Sequence, residues 1–99
     1  AVVDLDTGAS ALEVLDVLRR RRVHAVGLVV VRSPRPHLAE VVEAIGARVP
    51  IRAVLAPEAS PVVGAMTPPP GFRSRVAGFV VDVGAVEPVL AARIGWARK

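Results

Sequence analysis

Apolar positions along this chain change period several times, and each change marks an element. Ala1 to Leu5 reads as a short strand, and Asp6, Thr7 and Gly8 turn the chain away from it. Ser10 followed by Glu13 fits a capping box, in which each residue satisfies an orphan N–H of the other. A helix is expected over 10–22, with Leu12, Leu15 and Leu18, and Val14 beside them, as its apolar stripe. Its last turn carries Arg19, Arg20, Arg21 and Arg22, where positive charge suits the negative end of the helix.

Val23 to Val31 supplies a second strand, apolar without alternation from Val26 onward apart from Gly27. Such a run predicts cover on both faces, as in a parallel sheet. Pro34 and Pro36 force the chain out of the sheet, and a helix over 36–45 shows Leu38, Val41, Val42 and Ile45 on one side. Gly46 is the expected residue just past its end. Ile51 to Leu55 reads as a third strand, stopped by Pro57.

Ala56 to Gly71 is rich in proline and reads as extended loop, with polyproline character at Pro68-Pro69-Pro70 and a brief edge pairing at Val62 to Met66. Phe72 to Val76, Phe79 to Val83 and Val89 to Ile94 follow as short strands, broken at Ala77-Gly78 and over Gly84 to Pro88. In the first of these, Arg73 and Arg75 alternate with Phe72, Ser74 and Val76, which places both arginines on one face.

The expected fold class is therefore α/β, in a single domain over 1–99. A β-α-β-α-β unit spans 1–57, a proline-rich loop 58–71, and an antiparallel β-meander 72–99. The first part predicts a small mixed sheet of 1–5, 25–31 and 51–55, with helices 10–22 and 36–45 packed on it.

Composition narrows the chemistry. An apolar fraction of 53% excludes a disordered chain. The longest apolar run, Ala25 to Val31, is far short of the roughly 20 residues that span a bilayer, and the opening residues show no signal-peptide pattern. The absence of cysteine removes disulfides and thiolate metal sites. Of the 13 basic residues all but Lys99 are arginine, and the net charge is +4. Arginine suits bidentate phosphate contacts, although a GC-rich genome yields the same bias. One Trp, two Phe and no Tyr provide little for stacking bases.

Candidate sites are few. The strand-end loop after Val31 carries Arg32, Ser33, Arg35 and His37, at the position where α/β domains usually bind ligands. Arg32, Arg35 and His37, with Arg73 and Arg75, are the candidate contacts for DNA or another anion. The Arg19 to Arg22 run points around its helix axis, so its four members cannot all face one ligand. Thr7, Gly8 and Ser10 lack the spacing and the lysine of a phosphate-binding loop. His37 has no other ligand within reach in sequence, and His24 lies on the far side of the preceding strand, so a metal site has no start here. Asp82 and Glu87 read as isolated surface carboxylates, and no serine-hydrolase elbow is present. The residues thus predict no enzyme, no metal and no cofactor.

Several phrases resemble a known family. Asp4-Leu-Asp-Thr-Gly8, Leu18-Arg-Arg-Arg-Arg-Val23, the strand Val26 to Val31, the helix after His37, and Val54-Leu-Ala-Pro57 look like the metallo-β-lactamase-like domain of the ComEC/Rec2 family. The stretch from Pro69 through Gly71-Phe-Arg-Ser-Arg-Val to Val83 is similar to the strands that follow there. Those proteins are polytopic membrane proteins that carry single-stranded DNA in natural competence. Active members bind metals through a His-x-His-x-Asp-His run, which falls here on Arg32, Pro34, Pro36 and His37. Three of the four ligand positions are therefore lost. The resemblance implies a degenerate, non-catalytic domain at the membrane surface that scaffolds or guides DNA. It also implies as partners single-stranded DNA, bound weakly and nonspecifically, and the membrane-embedded remainder of the polypeptide. Self-association is a further expectation, since so small a core benefits from a second copy. The alternative is a small α/β protein–protein interaction module without a nucleic-acid role, cytoplasmic in location.

Overall fold

The computed structural model describes residues 2–6, 8–76, 79–85 and 90–96. Strand β1 (Val2–Leu5), helix α1 (Ala11–Arg20), strand β2 (Leu28–Val31), helix α2 (Pro36–Gly46) and strand β3 (Val54–Leu55) come first. Strands β4 (Arg73–Val76), β5 (Phe79–Ala85) and β6 (Ala91–Trp96) complete the order. The protein is a small α/β fold with two helices and two three-stranded sheets among the described residues.

The first sheet has the order β1-β2-β3 and is parallel throughout, with Val3 opposite Val29 and Val30 opposite Leu55. The expected mixed sheet is thus corrected to a parallel one, and the antiparallel strands form a separate sheet in the order β4-β5-β6. Both helices pack on one face of this sheet, as two successive crossovers of the same hand require. There Val3, Leu5, Val29 and Val31 pack against Leu18 of α1 and Leu38, Val41 and Ile45 of α2. On the other face Leu28, Val30 and Leu55 meet Val81, Val83 and Leu90 of the second sheet's side. The layers therefore run helix, parallel sheet, antiparallel sheet. All four residues of β2 are buried because the strand lies in the middle layer.

Local details depart from expectation at the ends of elements. α1 begins at Ala11, and Ser10 makes no side-chain cap, so the Ser10–Glu13 capping box is not formed. Instead the Gly8 N–H donates to Asp6 Oδ1 at 3.0 Å in an Asx-type turn. The stripe that packs is Ala11, Val14, Leu15 and Leu18, which leaves Leu12 81% exposed. α1 ends two residues early. Arg22 takes φ +55°, the Val23 N–H donates to Leu18 O at 2.9 Å, and the Arg22 N–H to Arg19 O at 3.1 Å. That is a Schellman end with arginine in the left-handed place usually held by glycine. Gly46, expected beyond α2, is its last residue, and Ala47 forms the cap in right-handed helical geometry.

The third strand is shorter than 51–55, with Ile51 joined to Val26 only by an isolated bridge. Met66 adds a second bridge, to Leu55, and is the point where 62–66 pairs with the sheet edge. Pro57 and Pro68 are fully buried, so the proline-rich segment is partly core. The Phe72 N–H donates to Pro69 O at 3.1 Å, and Gly71 has φ +85°. Pro70 and Gly71 thereby form the centre of a type II turn that launches β4.

β5 extends to Ala85 with an irregularity between Val83 and Ala85, and β6 covers Ala91–Trp96 rather than 89–94. The breaks expected at Ala77-Gly78 and beyond Ala85 lie outside the described residues, as do Thr7 and Glu87.

Candidate nucleic-acid interface

The strand-end loop after β2 is built around Arg32. Its Nε donates to Asp4 Oδ1 at 2.7 Å and its Nη2 to Asp4 Oδ2 at 2.9 Å, a parallel fork on one carboxylate. Its Nη1 donates to the Ala92 carbonyl in β6 at 2.8 Å. The backbone joins in: the Arg32 N–H donates to Leu5 O at 3.0 Å, and the Leu90 N–H to Arg32 O at 2.8 Å. The Asp4 hydrogen bond and charge raise the Arg32 guanidinium above its ordinary range, against an opposing effect of burial. Arg32 therefore spends its donors on tying the two sheets together.

The other loop candidates are placed elsewhere. Ser33 is buried. Arg35 is exposed at the N-cap of α2 and makes no side-chain cap, while His37 is exposed in the first turn. The predicted contacts are thus divided among three places: Arg32 between the sheets, Arg35 and His37 at the helix layer, and Arg73 and Arg75 on the second sheet. They do not converge on one surface.

The outer face of the second sheet does gather basic groups. Register puts Arg73 of β4, Asp82 of β5 and Arg93 of β6 side by side across the sheet. Arg75 lies opposite Val80, and Val80 opposite Gly95. Arg73, Arg75 and Arg93 are all exposed, and with Asp82 they place three guanidinium groups against one carboxylate. Arg73 Nε holds Asp82 Oδ1 at 3.0 Å, so Asp82 is not the isolated carboxylate expected from the sequence. Arg73, Arg75 and Val80 border a shallow depression of about 310 Å³. A side chain added at Gly95 would meet no atom within 4 Å, so this face is open to approach.

Arg93 was missed by sequence reading. The alternation of Ala92 and Ile94 with exposed neighbours was available, but assigning the face needed the pairing with β5. Arg19 and Arg20 reach back to Asp16 at 3.1 and 3.0 Å, so two members of the arginine run are partnered on their own helix.

No group of three or more His, Asp or Glu side chains among the described residues lies close enough to hold a metal ion. No described helix is long and apolar enough to cross a membrane. Compared with known proteins, the chain matches no family model, no curated protein and no solved structure.

Proposed function

We propose that this chain is a non-catalytic domain that contacts single-stranded DNA weakly and without sequence preference, at the surface of a membrane DNA-uptake protein. The contact surface is the outer face of the antiparallel sheet. The observation that carries the reading is the group of Arg73 and Arg75 on β4 and Arg93 on β6, which flank β5 on one face, with Asp82 of β5 as the one described carboxylate among them. Arg73 and Arg93 are two strand spacings apart, about 10 Å. They can therefore meet separate phosphates of an extended strand. With few aromatic side chains, affinity comes from charge rather than stacking, and it falls with salt.

The DNA-uptake setting rests on the resemblance of Asp4 to Gly8, Leu18 to Val23 and Pro69 to Val83 to the competence family. The non-catalytic part rests on Pro34 and Pro36, which offer no ligand, and on Arg32, held by Asp4 where that family places its first histidine. Arg35 and His37 provide a secondary anion contact at the start of α2.

Fluorescence anisotropy with a labelled single-stranded oligonucleotide, repeated across salt concentrations, tests the reading. Replacing Arg75 and Arg93 with Ala is expected to lower the slope of log affinity against log salt by about 1.4. Gly95→Glu, which adds a carboxylate to the same face, is expected to weaken binding further. An unchanged slope in the double variant, or no binding near 50 mM salt, would overturn the proposal.

A further inference from the structure

A cleft on the opposite side of the molecule has a chemistry of its own. It lies between the C-terminal half of α1 and the turn that follows α2, with a volume of about 620 Å³. Leu12, Leu15, Val23 and Val49 provide its apolar lining. Leu12 is 81% exposed, at the edge of the stripe of the same helix that is packed into the core. Around the lining stand Arg19, Arg22 and Arg48, all exposed, with Asp16 as the acidic residue of the cleft. Asp16 is already held by Arg19 and Arg20.

We propose that this cleft docks an acidic amphipathic segment of a partner protein, such as a short helix with leucine or phenylalanine on one face and carboxylates beside it. The apolar side chains enter over Leu12 and Val49, and the carboxylates meet Arg22 and Arg48. Exposed apolar area rimmed by polar groups is the signature of such sites. Charge selects the occupant. A second copy of this chain would bring its own arginine rim against the first, a like-charge juxtaposition that opposes a symmetric pair. The concavity fits an inserted side chain better than it fits a flat lipid surface. The left-handed conformation of Arg22 closes α1 and sets its backbone beside the cleft.

The test uses a short fluorescein-labelled helical peptide of leucine and glutamate, with a control in which lysine replaces every glutamate. Leu12 and Arg48 are exposed, so Leu12→Glu and Arg48→Glu are expected to leave the melting temperature unchanged while each weakens binding of the acidic peptide about tenfold. The lysine peptide is expected not to bind. Should Arg48→Glu fail to fold, backbone-amide chemical shifts of the wild-type chain carry the decision, and perturbations are expected at Leu12, Arg22 and Val49. Equal binding of the two peptides, variants that bind like the wild type, or perturbations confined to β4 to β6 would overturn the proposal. So would a dimer abolished by Leu12→Glu, which makes a second copy the occupant. Leu12-dependent binding to anionic phosphatidylserine vesicles without peptide binding would do the same.

Discussion

Arg32 and Asp4 face each other across adjacent parallel strands with two parallel hydrogen bonds, 2.7 and 2.9 Å long, at the place where the two sheets meet. The pair is asymmetric in burial: the Arg32 side chain is 22% exposed and that of Asp4 47%. A bridge this accessible is worth less than a buried one, but its fork geometry and the third bond, to Ala92 O, set it apart from an ordinary surface pair.

Arg32→Ala removes all three side-chain bonds and leaves the Ala92 carbonyl half-buried without this partner. The expected loss is about 1–2 kcal/mol of stability, read as a fall in melting temperature of several degrees. Asp4→Ala should cost less, and the double variant should show a coupling of about 1 kcal/mol. A coupling near zero would mean that the fork contributes nothing beyond its separate halves.

The raised guanidinium value also fixes the pH behaviour. A cation whose folded value lies above its unfolded one contributes fully below the unfolded value, and loses that contribution only as pH rises through the folded value. For Arg32 that window lies beyond the alkaline limit of ordinary handling. The stability difference between wild type and Arg32→Ala should therefore be flat from about pH 7 to pH 10. Arg32→Lys restores a charge but not the fork, and an ordinary lysine begins to lose its proton near pH 10. Urea denaturation at several pH values distinguishes the two variants.

Arg22 is a point of backbone strain. An L-residue in the left-handed region is disfavoured by about 1–2 kcal/mol, and glycine is not. Glycine's larger unfolded-state entropy returns part of that difference. Arg22→Gly should stabilise the protein by about 0.5–1 kcal/mol, measured as a raised denaturation midpoint with an unchanged slope. A loss of stability would show that the arginine side chain makes up for its backbone.

Gly71 presents the reverse case. Its φ of +85° serves the turn after Pro70, and its N–H donates to Val83 O at 2.7 Å. A Cβ there meets no other atom within 4 Å, so any penalty comes from the backbone alone. Gly71→Ala should cost about 1–2 kcal/mol. A result within about 0.5 kcal/mol of the wild type would mean that the turn relaxes to another type.

Much of the architecture was legible because burial writes itself into residue pattern. The unbroken apolar run of β2 announced a strand covered on both sides, and Leu38, Val41, Val42 and Ile45 gave the buried face of α2. What pattern cannot express is pairing. Turns between short strands led to an antiparallel meander over 72–99, yet only hydrogen-bond register tells which residues of β4 to β6 stand side by side, and that Met66 rather than the meander bridges β3. The same gap hid Arg93, whose neighbours across β5 are Asp82 and Arg73. Leu12 was misplaced because it stands only about 60° from Leu15 around the axis, while the packed stripe is centred on Ala11, Val14, Leu15 and Leu18 and leaves it at the edge, beside Asp16 and Arg19. Arg22 gave no warning at all: a Schellman end without glycine has no compositional mark.

The latch at Arg32 carries a lesson about synthesis. Its bond to Asp4 spans 28 residues, but its bond to Ala92 spans 60 and waits for the last described strand. While the chain emerges from the ribosome, β1, β2 and β3 can assemble with their helices on one side, yet Leu28, Val30 and Leu55 have nothing to cover them until β5 and β6 follow. A nascent chain stalled after the proline-rich segment would present a sticky, half-finished sheet. Chaperone dependence should peak over that interval and fade once Ala92 has been made.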